Sequence, residues 1–470
     1  MKFHSVPGRI TPLHPERMIP MKRNLTFKET ITITSMLFGM FFGAGNLIFP
    51  AKMGIDAGSN LWSAFLGVFI TAVGIPMLAV VALGMSRCDG VVPLAEKVGK
   101  KYSVFFCTLL YLTIGPLFAI PRCASTSFSV GAVGLLGTEH QRLYLALFSF
   151  AFFAIVLFFS LRPSGIMTWI GKILNPVFLI FLSALVIAAL WNPVTTISQV
   201  TPAQNYATGS SAFFTGFLEG YNTMDALAGL AFGIVVIEVV RSHGVQEPGR
   251  VAVNTAKAGI FSCLFMGIIY FFITLITAQS APLCQNAANG GEVLGIVAGY
   301  YFHRTGAILN AGIVTFACLK TAIGLVTSCS EAFVQMFPKG PGYGVWATGF
   351  SVIAFGIANF GLSTIVAWCV PLLMFAYPLA ITLTLLALTE RWFGRDKAVY
   401  VSTTAFTLVA AFLDFLGTLS GMIPGNALLA AIKAFAGRYI PLFQVGMGWL
   451  LPACLGFAVG LCIRFLKKNK

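Results

Sequence analysis

Apolar runs of about twenty or more residues recur from Thr30 to Ile463. Each is long enough to cross the roughly 30 Å hydrocarbon core of a bilayer as a helix. The pattern predicts twelve spans, at approximately 30–51, 61–84, 103–123, 142–160, 171–191, 212–240, 256–278, 306–335, 342–360, 363–388, 400–417 and 443–465. Two of them break the simple helical pattern. The first carries Gly43-Ala44-Gly45-Asn46 near its middle, and the sixth carries Gly216, Glu219, Gly220, Tyr221, Asn222, Thr223 and Asp225. Glycine lowers helix propensity, and hydrocarbon tolerates open backbone only where it lines a site or a protein-filled interior. The two breaks lie five spans apart, and five is odd, so a repeat starting at the sixth span enters the membrane from the opposite side. The expected fold is an all-α integral membrane protein with an inverted 5+5 repeat and broken helices 1 and 6. The repeats cover 29–191 and 211–388, and 400–465 holds two peripheral helices.

Composition agrees with a bilayer solvent. Of 470 residues, 57% are hydrophobic and 10% charged, against roughly 25% charged in soluble domains. The net charge of +15 does not mark a nucleic-acid surface, because Lys and Arg sit in short segments between spans. With the N-terminus inside, Lys97, Lys100, Lys101, Arg162, Lys172, Arg241, Arg250, Lys257, Arg391, Arg395 and Lys397 fall on one side. Lys52, Arg142, Arg304, Lys433 and Arg438 fall on the other. That asymmetry predicts an even number of spans with both termini cytoplasmic. Most of the ten cysteines lie in apolar runs without metal-ligand spacing, and Cys284, in a predicted outer loop, is expected to be unpaired. Residues 1–28, polar and with Pro7, Pro12, Pro15 and Pro20, are expected to be a disordered inner segment, or to precede a true start at Met18 or Met21.

Candidate chemistry concentrates at the breaks. If the helix stops before Gly43 and restarts near Asn46, the backbone N–H groups of Gly43, Ala44 and Gly45 and the positive end of a half-helix suit an α-carboxylate. Gly39 and Phe42 offer carbonyls to a cation and Asn46 a side-chain oxygen; Gly39 and Gly43 also have the spacing of a helix-packing face. In the sixth span, carbonyls between Thr215 and Gly220 are candidates for a substrate ammonium, and Thr223 for an ion or carboxylate. Glu219 and Asp225 are functional candidates because intramembrane acids are costly, and Asp225 also suits a capping role. Lys320, midway along the eighth span, needs a partner, with Glu219 and Asp225 as candidates, or stands in for a bound sodium. Thr321 beside it is a candidate ion ligand. Arg122 is expected near an outer helix end, ordering a gate at the interface, and Asp414 is expected to serve an inter-helix structural role.

Five stretches carry a resemblance: Gly43 to Pro50, Gly115 to Arg122, Gly220 to Asp225 with Phe232 to Val236, Ala317 to Leu325, and Asn359 to Ser363. In that order they resemble the bacterial branched-chain amino acid:cation symporters of the BrnQ type, which are similar to the amino acid–polyamine–organocation superfamily. The resemblance implies a leucine-transporter-like fold and sodium-coupled uptake of leucine, isoleucine and valine across the cell inner membrane. It puts the substrate carboxylate at Gly43 to Gly45 and sodium near Gly39, Phe42 and the eighth span, where Ala317, Lys320 and Thr321 have the spacing of an ion site; Asn46 is the further sodium candidate from the break itself. Lys320 and Asn222 depart from the family pattern, which has an uncharged and an apolar residue there; both bear on sodium coupling. The implied partners are branched-chain amino acids and the lipid bilayer, with Na+ as coupling ion, no cofactor and no obligate protein partner.

An enzyme would need a clustered His, Cys or acidic constellation, whereas His4, His14, His140 and His243 lie outside the span interiors and His303 at an interface. A channel would show a continuous polar pore, whereas polarity here gathers at two breaks. The expected mechanism is alternating access, with substrate between the first and sixth spans and against the third and eighth. Proton coupling or exchange, with Lys320 or Glu219 titrating, is the alternative.

Overall fold

A computed structural model of the chain describes residues 24–86, 88, 90–132, 140–162 and 166–468, and all the secondary structure in these residues is helical. Residues 1–23 of the expected N-terminal segment lie outside the described residues. Thr26 starts the first helix, Phe27–Phe41, through reciprocal bonds with Glu29: Glu29 N–H donates to Thr26 Oγ1 and Thr26 N–H to Glu29 Oε2. Eight described helical stretches are long and apolar enough to cross a membrane, as in a multi-pass membrane protein.

The helices around the two breaks form two packing groups. Phe27–Phe41, Ala44–Ala57, the helix over 61–86, Gly209–Thr223, Asp225–Ser242 and Pro248–Gln279 pack on one another. The helices over 100–132, Gln141–Ser160, Gly290–Met336 and Tyr343–Ala358 make the second group. Close approach in the first group depends on glycine. A Cβ on Gly216 would strike the Ala64 carbonyl oxygen and lie 2.8 Å from its carbon, and one on Gly220 would strike Thr71 Oγ1 and lie 3.2 Å from Ala72 N. Thr71 completes this seam by donating to the Phe217 carbonyl at 2.8 Å.

Leu362–Phe393 joins the groups to a peripheral pair, Lys397–Met422 and Leu450–Lys468, which pack against each other. Where it ends, buried Glu390 accepts from Lys97 Nζ at 2.6 Å, Arg395 Nε at 3.0 Å and the Tyr400 hydroxyl at 3.2 Å. Two connectors differ from the sequence expectation. Residues before the eighth span are helical from Gly290, with a kink at His303 (φ 56°, ψ −155°), and the segment before the last span contains the helix Ala427–Tyr439, capped by Asn426. Cys284 is a free thiol, as expected, but is buried in the turn Ala281–Cys284.

Candidate functional site

The first break spans two residues. Phe42 and Gly43 are extended (φ −73°, ψ 102° and φ −134°, ψ −162°), and a new helix begins at Ala44. Asn46 holds it: its Oδ1 accepts the Gly43 N–H at 2.8 Å. The first N–H groups of a helix have no intrahelical acceptor, so the amide end of Ala44–Ala57 points donors into the interior.

The sixth span breaks at Met224, in the left-handed conformation (φ 63°, ψ 12°), between Gly209–Thr223 and Asp225–Ser242. This corrects the expectation of open carbonyls between Thr215 and Gly220: those residues are helical, and Gly216 and Gly220 serve interhelical packing. A glycine pattern signals either unwinding or close approach, and here the second applies. Asp225 follows the break in the first turn of the new helix, where the dipole favours a carboxylate. It accepts from Asn46 Nδ2 at 2.9 Å on both oxygens and from the Tyr270 hydroxyl at 2.6 Å, and Asn46 Nδ2 also contacts the Tyr270 hydroxyl. Asn46, Asp225 and Tyr270 are almost wholly buried, at 2%, 1% and 0% exposure. The cluster therefore fastens both breaks to the seventh span as one satisfied polar unit.

Arg122 enters from the third span, which unwinds over Thr113–Leu117 where Gly115 is non-helical (φ −96°, ψ −128°) beside Pro116. The helix resumes at Ala119 and turns Arg122 inward. Contrary to the expected interface position, it is 4% exposed. Its Nη1 donates to the Asn222 carbonyl at 2.6 Å and Nη2 to that of Thr223 at 3.5 Å, and the guanidinium lies over the Phe49 ring at 5.1 Å. The carbonyls freed by the sixth break are thus filled by a cation of the protein itself.

Between the two packing groups lies a cavity of about 30 Å³. Ligand pockets measure roughly 300–1,000 Å³, so the cavity has to widen to hold an amino acid. Gly43, Ala44, Gly45, Asn46, Thr223, Asp225 and Thr321, all singled out from sequence, line it, together with Arg122, Cys123 and Phe232. Beside it, Thr321 Oγ1 donates to the Phe42 and Ala317 carbonyls at 3.4 and 3.1 Å, which brings three of the expected ion ligands together. Gly39 is buried one turn back in the first helix. Asn46 is committed to Gly43, Asp225 and Tyr270 rather than left open to an ion.

The remaining candidates lie elsewhere. Tyr221 stacks on Tyr377 with ring centroids 4.2 Å apart. Glu219 accepts from Asn222 Nδ2 at 3.0 Å and faces the Lys52–Asp56 ion pair. The Asp225 carboxylate accepts from Asn46 and Tyr270, and its backbone N–H donates to Thr223 Oγ1 at 3.4 Å. Lys320 is half-buried next to Thr321. Tyr270 escaped the sequence reading because it precedes Phe271 and Phe272 in an apolar run and reads as one more aromatic core residue.

The family profile described as branched-chain amino acid transport protein matches residues 26–467. The chain belongs to that family. It is 50% identical over 440 residues to the branched-chain amino acid permease BrnQ of Lactobacillus delbrueckii subsp. lactis, covering 93% of this chain and 97% of that protein. It is 36% identical to the permeases BraB of Bacillus subtilis (strain 168), over 94% of this chain and 96% of that one, and BrnQ of Escherichia coli (strain K12), over 92% and 94%. Family membership puts the chain among transport proteins rather than enzymes. Among solved structures it resembles Mhp1, a nucleobase-cation-symport-1 family transporter, in a closed conformation with bromovinylhydantoin bound: TM-score 0.53, 15% identity, over 90% of this chain and 96% of that one. That likeness concerns the fold alone, and it supports a membrane-transporter fold.

Proposed function

We propose that this protein imports leucine, isoleucine and valine, and also methionine, across the cell inner membrane by cation symport through alternating access. The observation that carries the reading is the cavity between two helix breaks, where the amide end of Ala44–Ala57 and the Arg122 guanidinium face one space. A half-helix amide end and a buried guanidinium together favour an α-carboxylate. The names of the similar permeases supply the substrate class. Phe41, Ile114, Phe232 and Leu325 around the cavity suit an aliphatic side chain. Pockets of this kind separate methyl-scale differences by only about 1–3 kcal/mol, so related aliphatic amino acids share the site.

In this reading the spans number twelve, 29–191 and 211–388 are inverted five-span repeats, 400–465 is peripheral, and both termini are cytoplasmic. Gly43, Ala44 and Gly45 hold the carboxylate, Thr223 lies beside it, and Asn46 with Asp225 sets the geometry of the breaks. The coupling ion is sodium, at the Phe42 and Ala317 carbonyls and Thr321 Oγ1, with Gly39 in the adjoining turn. Rocking of the first packing group against the second opens the cavity to each side in turn. A second reading, proton coupling, draws on Lys320, whose ammonium is one residue from Thr321. Initial uptake of labelled leucine, isoleucine, valine and methionine into proteoliposomes tests both, with an inward sodium gradient set against a proton gradient and no gradient. Accumulation driven by sodium is expected. Accumulation driven by protons alone transfers the coupling role to Lys320, and no uptake of any of the four refutes the substrate class.

A further inference from the structure

The connector between the two peripheral spans carries an apolar stripe that points away from the rest of the protein. Ala427–Tyr439 lies between Lys397–Met422 and Leu450–Lys468 and packs on the first of them, with Leu429 and Ala436 buried. Phe443, just after it, fixes its direction: the ring lies 2.6 and 3.0 Å from where Cβ atoms on Gly417 and Gly448 would stand. Leu428, Phe435 and Tyr439 are 70%, 59% and 62% exposed, and Ile432 is half-buried. At 3.6 residues per turn these four fall within about 60° of arc, beside the buried face rather than on it. The Phe435 and Tyr439 rings meet with centroids 4.9 Å apart. Lys433 and Arg438 are exposed outside the stripe, among alanines and Gly437, and the Arg438 guanidinium lies over the Tyr439 ring at 5.5 Å.

A helix of 13 residues rises only about 20 Å, short of the roughly 30 Å hydrocarbon core, so this one does not span. The helices before and after it are both long and apolar enough to cross the membrane, which places the connector at the membrane surface. Apart from Lys433, Arg438 and the Tyr439 hydroxyl it has no polar side chain, so water is a poor solvent for its exposed stripe. No acidic residue follows Asp414 in the chain, and this segment therefore brings no carboxylate to its two cations. Large apolar residues on one arc and Lys and Arg on another make a helix that lies in the bilayer interface. We propose that Ala427–Tyr439 is a lipid-binding helix. Its stripe from Leu428 to Tyr439 sits at the boundary of headgroups and acyl chains, and Lys433 and Arg438 take the phosphates of anionic phospholipids. The peripheral pair is thereby anchored at one face of the membrane. A second copy of the chain fits this surface less well, because it would set like charges together with no acid on the segment to offset them.

Quenching of tryptophan emission by brominated lipids tests this surface whatever the protein transports. Phe435→Trp places a reporter at an exposed position, and its emission is read as the difference from the parent protein in the same bilayers. Acyl-brominated phospholipid is expected to quench that difference and aqueous iodide to leave it. Brominated phosphatidylglycerol is expected to quench at a lower mole fraction than brominated phosphatidylcholine. Adding Lys433→Gln and Arg438→Gln should abolish that preference, each charge being worth roughly fivefold in relative affinity. Quenching by iodide instead would put the stripe in water, and quenching by neither would mean that protein, such as a second copy, covers it; either result overturns the proposal. Equal quenching of the Phe435→Trp protein by the two lipids would overturn the anionic headgroup site.

Discussion

The two helix breaks contrast in what they offer. At the first, Asn46 closes the gap at Gly43 and leaves the amide end of Ala44–Ala57 directed at the cavity. At the sixth, the freed carbonyls of Asn222 and Thr223 are already taken by Arg122. One break presents donors to an anion, and the other has its acceptors filled from within. On the proposed function, a zwitterionic substrate would find a ready place for its carboxylate but not for its ammonium, which would reach the sixth-span carbonyls only as Arg122 leaves them. Arg122 would then be both the group that fills the sixth break and a counter-charge for the incoming carboxylate.

Substitutions that separate the packing of the breaks from their chemistry sharpen this contrast. The largest effect is expected from Gly216→Ala, because its Cβ meets the Ala64 carbonyl, a backbone group that cannot swing away; size-exclusion profiles should show little folded protein. Arg122→Ala removes charge-assisted hydrogen bonds of about 1.5–3 kcal/mol each. Leucine uptake should fall roughly 10–100-fold while folded protein is retained, and unchanged uptake would remove Arg122 from the account. Tyr270→Phe takes one donor from Asp225, at a similar cost per charged hydrogen bond of about 1.5–3 kcal/mol, and should lower the thermal midpoint without changing which amino acids compete. The smallest effect is expected from Thr321→Ala. Losing one neutral oxygen, worth about 0.5–1.5 kcal/mol, should weaken apparent sodium affinity roughly 2–10-fold, with Thr321→Ser restoring it.

The first break could be read from sequence because Gly43-Ala44-Gly45 interrupts an apolar run and Asn46 has no reason to lie in lipid. The sixth was harder to place. Its glycines lie at 216 and 220, where neighbouring backbone needs room, while the break falls at Met224, a residue with no intrinsic preference for the left-handed region. Tertiary contacts impose that conformation: Arg122 holds the carbonyls before it, and Asn46 and Tyr270 hold the carboxylate after it. Arg122 was misplaced because its burial follows from the unwound turn at Gly115, which redirects the helix. Tyr270 had no local signal, since its role depends on which distant helix arrives opposite.

The central claim is that the first break recognises the carboxylate of an aliphatic amino acid. Its most direct test is competition for labelled leucine binding to the purified protein, comparing leucine with leucinol, which keeps the side chain and ammonium but lacks the carboxylate. Leucine is expected to compete, and leucinol to lose at least the roughly 1.5–3 kcal/mol of one charge-assisted hydrogen bond, or about tenfold or more in affinity. Leucinol competing as well as leucine would contradict the account, because the half-helix at Ala44 and the guanidinium of Arg122 would then have no anion to hold.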